Sequence, residues 1–282
     1  MAGYTPGTLR TRHGESEAIF FDPVKSGVVT DGDGVAVDPH VKILDEHVVA
    51  RAKARGLDVL VYAPHFTRLP TIQRRAAEFS DEDLLVVPAR EIFTGSWRDR
   101  RHVLALGLES PVPDFCTLEG TMAELRRQDA TVLAPHPEFL NVSLGESHLQ
   151  AYRDTVDGIE VYNPKHLARD NRRAQALARE FDLPTFASSY AHLSKTVGEV
   201  WTRFGRDIDS EADLLDALQS GAPRRIFHRE GRRHRLRCRL EFGHLGYENT
   251  VTKFDRIALS GLEPTHPAHV AYGGTFDDIR VY

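Results

Sequence analysis

Residues Asp58 to His65 read DVLVYAPH, and the fold follows from this stretch. Asp58 to Ala63 is a short apolar run, the pattern of a strand buried on both faces. Pro64 ends it, because proline has no N–H for the next ladder bond, and a histidine follows at once. TVLAPH (Thr131 to His136) repeats the arrangement, and VAVDPHV (Val35 to Val41) is a strand with its own Pro-His end. DLLVVPARE (Asp83 to Glu91), GIEVYN (Gly158 to Asn163) and PTFASSYAH (Pro184 to His192) are variants. An apolar run closed by His, Glu or Asn, repeated along a chain, is how a parallel barrel sets side chains around one mouth.

Between these runs lie stretches of helical period. Asp45 to Asp58 has an N-cap candidate in Asp45 and a stop at Gly56. Further helices are expected over Leu69 to Phe79, Thr117 to Ala130, near His148 to Tyr152, over His166 to Phe181, and over Asp209 to Gly221, the last capped by Ser210. Strand and helix alternating at short intervals predict parallel pairing through right-handed crossovers. Some seven such units point to a closed or nearly closed α/β barrel. No Gly-rich phosphate loop follows the first strand, which argues against a dinucleotide fold. Phe93 to Arg101 reads as a polar loop, and His102 to Leu108 as a strand with its histidine at the start. GEVWTRF (Gly198 to Phe204) reads as a final short strand.

Three segments are expected. Residues 1–34 read as an N-terminal arm, with a short strand in AIFFDP (Ala18 to Pro23) and a turn at TDGDG (Thr30 to Gly34). Residues 35–222 form the barrel. Residues 223–282 form a C-terminal extension: an arginine-rich run from Arg224 to Arg239, an amphipathic helix near Tyr247 to Leu259, and a Pro/His/Gly loop.

Bulk composition sets limits. The chain has 282 residues, 41% hydrophobic and 27% charged, enough to fill a core. A net charge of -5 provides no overall basic field to draw nucleic acid. Two cysteines, Cys116 and Cys238, make no disulfide framework, and the N-terminus does not read as a secretion signal, so a cytoplasmic setting is expected. No apolar run is long enough to span a membrane.

Six residues at strand ends carry the chemistry: His40, His65, Glu91, His102, His136 and His192. Neutral imidazole and carboxylate are natural ligands of Zn²⁺, Mn²⁺ and Fe²⁺. A carboxylate can bridge two ions about 3.5–4 Å apart, the arrangement that stabilises both oxygens in phosphoryl transfer. Glu91 is the one carboxylate of this set and the bridging candidate. Each histidine alone also fits a hydrogen-bonded rim residue.

The order of these pieces resembles the PHP family, the polymerase and histidinol phosphatase domains. DPHVK (Asp38 to Lys42) stands where that family has Asp-x-His-x-His, and Pro64-His65 where it has Asp-His. Glu91 in REIFT, His102 in RHVLALGL, His136-Pro137, IEVYN and Tyr190-Ala191-His192 match the later motifs. The resemblance covers roughly residues 35 to 221. It implies a distorted (β/α)7 TIM-like barrel, with residues 223–282 as a PHP-associated helical/loop appendage, and a metal centre that hydrolyses phosphate esters with metal-activated water. Two departures stand out. Lys42 replaces the second histidine of the first motif, and Tyr190 replaces the aspartate of the last. A protonated lysine cannot ligate and a neutral tyrosine ligates poorly, so the family site that uses both positions is expected to be empty or weak.

The resemblance therefore implies metal ligands His40, His65, Glu91, His102, His136 and His192 for one or two ions of Zn, Mn or Fe. Glu91, Lys42 and His192 are the expected catalytic residues. Arg90, Arg101, Asn163 and Tyr190 are the expected substrate-binding residues, and Arg98 and Arg100 lie near them. Lys42 has two readings: a surface lysine in a decayed ligand position, or a fixed charge that replaces a cation and holds a substrate phosphate. The expected substrate is a small phosphate ester or a nucleotide. Nucleic acid bound through Arg224 to Arg239 is the less favoured partner. The rival functions are a catalytically reduced binding or scaffold protein and an amidohydrolase-like metal-dependent hydrolase.

Overall fold

The structure is a computed structural model that describes residues 8–10, 16–21, 34–96, 99–138, 142–258 and 263–280; for 8–10, 16–21 and 246–258 it describes the backbone alone. Arg98 and most of the TDGDG turn lie outside the described residues.

Seven strands form the barrel: β3 (Val35–Val41), β4 (Val59–Tyr62), β5 (Leu85–Thr94), β6 (Arg101–Leu106), β7 (Thr131–Ala134), β8 (Gly158–Tyr162) and β9 (Thr185–Ala187). All four residues of β4 and of β7 are buried, as the continuous apolar runs demand of strands covered on both faces. The β3–β4, β4–β5, β7–β8 and β8–β9 pairs are parallel. The ring closes where Val41 bridges Ala191 in parallel and the Lys42 N–H donates to the Ala191 carbonyl at 2.9 Å. Thr202 adds a side-chain link, its hydroxyl bonding both the N–H and the carbonyl of Ala187.

One strand departs from the parallel expectation. β6 runs antiparallel to both β5 and β7. β5 continues through Thr94, so only Gly95 to Arg100 separate it from β6, and a parallel crossover needs about a dozen residues or more. A hairpin is the remaining solution, and it also corrects the reading of Phe93 to Arg101 as a loop throughout. The reversal has a functional consequence: β6 begins at the rim where its neighbours end, which is why its histidine comes first.

Helices α1 (Glu46–Ala54), α2 (Leu69–Phe79), α3 (Leu118–Arg127), α4 (Glu146–Ala151), α5 (Ala168–Glu180) and α6 (Glu211–Gln219) fall where periodicity put them. Asp45 caps α1 by accepting from the Val48 N–H, and Ser210 caps α6 by accepting from Asp213. Gly56 and Gly221 follow α1 and α6 with φ of 70° and 64°, the left-handed geometry that ends helices at glycine.

The sheet extends beyond the barrel. β10 (Val200–Phe204) pairs antiparallel with β3, β11 (Arg224–Arg229) with β10, β2 (Ser16–Phe21) with β11, and β1 (Thr8–Arg10) with β2. The C-terminal extension is thus not helix and loop alone: the first arginines lie in a strand. One long helix, α7 (Arg232–Ala258), follows and begins well before Tyr247. Its buried positions His234, Cys238 and Glu241 repeat at helical spacing.

Glu199, at the entry to β10, joins three elements. Its carboxylate meets the guanidinium of Arg55 beyond α1 at 2.5 Å, His234 Nδ1 at 2.6 Å and the Arg237 guanidinium at 2.5 Å, the last two on α7. Burial acts to raise the Glu199 pKa, but His234, Arg55 and Arg237 outweigh it and hold the carboxyl down to about 2, against an ordinary 4.5. A depressed folded-state pKa gives stability that is present above the ordinary value and lost as pH falls through the folded one. Glu199→Gln is expected to cost about 3–5 kcal/mol in urea unfolding at pH 7, because it strands buried cations. The deficit should shrink between about pH 4.5 and pH 2. An equal deficit throughout that range would remove the ionic explanation.

Candidate metal centre

The reversed strand and its parallel neighbours deliver six side chains to one rim. Glu91 lies at the centre of them, with its carboxylate fully buried. Its Oε1 is 2.9 Å from His136 Nε2, 3.3 Å from His102 Nδ1 and 3.8 Å from His40 Nε2. Its Oε2 is 2.5 Å from the Lys42 ammonium and 3.1 Å from His65 Nδ1. The two oxygens therefore face different company, imidazoles on one side and an ammonium with His65 on the other. His192 joins through its ring, 5.8 Å from that of His65.

Donor atoms of Glu91, His102 and His136 all lie within 4.8 Å of one another, and all three residues are buried. Both ring nitrogens of His40 and of His102 are buried without a properly directed hydrogen bond. Orphaned buried imidazoles call for an explanation, and a divalent ion with nitrogen and oxygen ligands supplies one. Burial, then Lys42, pushes His40 and His65 well below the ordinary imidazole value, and burial takes His102 down to about 4. These rings are neutral at pH 7, the form that ligates. Burial acts to raise Glu91, but the Lys42 ammonium leads the opposing contributions that hold the carboxyl well below its ordinary range.

The supporting contacts fix the ligands. Ser143 Oγ lies 2.9 Å from His136 Nδ1, which leaves Nε2 for the centre. Glu160 accepts from the His136 N–H at 2.7 Å and from the Ser188 hydroxyl at 2.6 Å. Asp38 accepts from the N–H groups of Ser189 and Gly198, tying β3 to the loop after β9. His136 and Tyr190 sit at φ of 34° and 48°, a left-handed geometry that costs non-glycine residues energy and gathers at functional sites.

Lys42 is buried, which excludes its reading as a surface lysine. Burial draws its pKa down to about 8 against the pull of Glu91, so it remains an ammonium at neutral pH. It also donates to the Ala63 carbonyl at 2.7 Å. The Tyr190 ring stands among His40, His136 and His192, with centroids 4.9, 5.3 and 4.8 Å away.

Three expected substrate residues are turned elsewhere. Arg90 follows strand alternation to the face opposite Glu91; its guanidinium pairs with Asp114 at 3.0 Å and donates to the Thr67 carbonyl. Arg101 pairs with Asp99 at 2.6 Å on the hairpin. Asn163 is held in strand-end bonds, accepting from the Lys165 N–H and donating to Glu160.

Residues not singled out in the sequence also reach the site. Lys165 is buried between the Glu241 carboxylate, at 3.0 Å, and the Tyr190 carbonyl, to which it donates, and its ammonium stands 4.8 Å from the Tyr190 ring centroid. His166 brings its ring 6.3 Å from that of His136. Glu241 accepts from the N–H groups of His192 and Leu193 and from the Thr196 hydroxyl. A single acid closing a run of arginines was the available signal.

A family model described as PHP-associated matches residues 168–223. No match is found among curated protein sequences. PsfC from Pseudomonas syringae PB-5123 superposes with a TM-score of 0.54 and 21% identity, over 76% of this chain and 99% of that one. The lesion-specific endonuclease PfuEndoQ from Pyrococcus furiosus superposes with a TM-score of 0.50 and 15% identity, over 68% of this chain and 57% of that one. At these identities the likeness is one of fold. The sequence match to the PHP-associated family is confined to residues 168–223, and the superpositions extend the likeness to the α/β barrel as a fold.

Glu241→Ala should release the loop that carries His192. Hydrogen exchange of amides 192–196 is expected to rise about tenfold or more while β4 and β7 stay protected. Unchanged exchange in that loop would show that α7 does not hold it.

Proposed function

We propose that this chain is a metal-dependent phosphoesterase of PHP type, and that it hydrolyses the phosphate ester of a small molecule. The observation that carries the reading is the buried Glu91 carboxylate, with His102 and His136 on Oε1 and the Lys42 ammonium on Oε2. On the Oε1 side, Glu91, His102 and His136 would hold one divalent ion of Zn, Mn or Fe, with His40 beside them. On the Oε2 side the Lys42 ammonium takes the place a second ion would have. A bound divalent ion supplies Lewis acidity and lowers the pKa of a coordinated water.

The chain's own residues do the rest. Lys42 is a fixed positive charge at the rim, placed to meet the developing charge on phosphoryl oxygens. Its ammonium also keeps Glu91 ionised. His65 shares the Glu91 oxygen that Lys42 holds, His192 stands beside His65, and the Tyr190 ring centroid lies 5.6 Å from the Lys42 ammonium. Arg90 and Asn163 are frame residues in this reading. Among the described residues no helix is long and apolar enough to cross a membrane. Cys116 and Cys238 are both free and buried, which supports a reducing, cytoplasmic setting.

Purified protein should contain about one equivalent of transition metal. Glu91→Gln is expected to lower both metal content and Mn²⁺-dependent phosphatase turnover by about a hundredfold or more. Absence of metal from the wild type would leave the binding-protein reading, and turnover on amides but not phosphate esters would leave the amidohydrolase reading. In a second measurement, Lys42→His should raise the stoichiometry toward about two ions. Two ions already present in the wild type would contradict the role given to Lys42.

A further inference from the structure

Three of the five large apolar side chains that stand exposed among the described residues lie within two turns of α7: Leu236 at 59%, Leu240 at 63% and Phe242 at 52%. The buried positions His234, Cys238 and Glu241 fix which side of this helix meets the body. At about 100° per residue, Leu236 and Leu240 fall on the opposite side, one turn apart. Gly243 continues their line, and a Cβ placed there would meet nothing within 4 Å. The two leucines thus crown a convex ridge that faces away from the barrel.

Cations flank the ridge. Arg232, Arg233 and Arg239 lie within about 60° of Leu236 around the helix, and Arg235 stands on its shoulder. All four are exposed, and among the described residues none has a carboxylate partner. The other arginines of the extension differ: Arg224 donates to the Ala217 and Ala222 carbonyls, and Arg237 is committed to Glu199. The run from Arg224 to Arg239 holds eight arginines against one acid, Glu230, in a chain of net charge -5. Positive charge is therefore gathered at one edge of an otherwise acidic molecule.

An occupant of the ridge must be anionic and must also accept leucine. A second copy of this chain, pairing ridge to ridge, would set arginine against arginine. A nucleic-acid strand satisfies the arginines and leaves the leucines in water. An amphipathic peptide helix is received by a groove, and this surface is convex. An anionic lipid surface meets both demands. The leucines enter the headgroup boundary, and the arginines reach headgroup phosphates on long stems. Lying in the interface needs only an apolar line between basic flanks, not a crossing helix. The same surface repels the acidic remainder of the chain, which turns the α7 edge toward the lipid.

We propose that the outward ridge of α7 docks this protein on an anionic lipid surface, with Leu236 and Leu240 inserted and Arg232, Arg233 and Arg239 on the headgroups. The proposal goes beyond the phosphoesterase reading and does not depend on it, since docking is read without turnover.

Co-sedimentation of the full chain with vesicles tests it. One set is phosphatidylcholine alone, and the other contains about 30% phosphatidylserine. The wild type should bind the anionic set at least about tenfold more tightly than the neutral set, and less tightly as salt is raised. R233A/R239A should lose about tenfold or more on the anionic vesicles. L236S/L240S, which keeps every charge, should also lose about tenfold. Both double variants alter only exposed side chains, and circular dichroism checks that their helix content is unchanged. Wild-type protein that binds neither set, or both equally, overturns the proposal without recourse to a variant. Full binding by L236S/L240S overturns the insertion of the leucines. A single-stranded oligonucleotide that binds wild type and L236S/L240S alike, where the anionic vesicles do not bind, overturns the proposal in favour of nucleic acid.

Discussion

A carboxylate withdrawn from water must be neutralised or surrounded by positive charge. Glu91 meets this requirement with the Lys42 ammonium on one oxygen, and its other oxygen faces a ring of imidazoles. Everything else at the rim follows from it. The histidines face the carboxylate, and burial keeps the rings of His40, His65 and His102 neutral. A buried anion bordered by imidazoles, with both ring nitrogens of His40 and of His102 outside any directed hydrogen bond, is a donor set suited to a divalent cation.

The fold supplies this arrangement economically. Parallel strands bring their ends to one rim, and the single reversed strand brings its beginning there. α7 then reaches back across the barrel, and Glu241 holds the loop that carries His192. The extension is therefore a structural part of the site. Glu199 and Glu241, both buried, divide the polar work of that helix: one joins it to α1 and β10, the other to the rim.

Much of this was legible in the sequence where local pattern and tertiary role coincide. Apolar runs ending in Pro-His locate β4 and β7 because both faces of those strands are buried. The direction of β6 was legible too, since six residues between β5 and β6 cannot hold a crossover, but strict alternation of strand and helix obscured it. Arg90 could have been excluded by parity, because neighbours in a strand face opposite ways. α7 was harder to place. Its buried stripe is His234, Cys238 and Glu241, so its burial leaves no apolar period in a run of arginines. Lys165 was hidden for the same reason: its burial depends on Glu241, 76 positions later, and no local pattern announces that pair.

The central claim is that these side chains gather around one ion with an ammonium in the place of a second. A crystal grown with Mn²⁺ and measured at the manganese absorption edge addresses it directly. The account predicts one anomalous peak at about 2.0–2.3 Å from a Glu91 oxygen, a His102 nitrogen and a His136 nitrogen, with the Lys42 ammonium still on the other Glu91 oxygen. A rim without a peak, or a peak held by other residues, would contradict it.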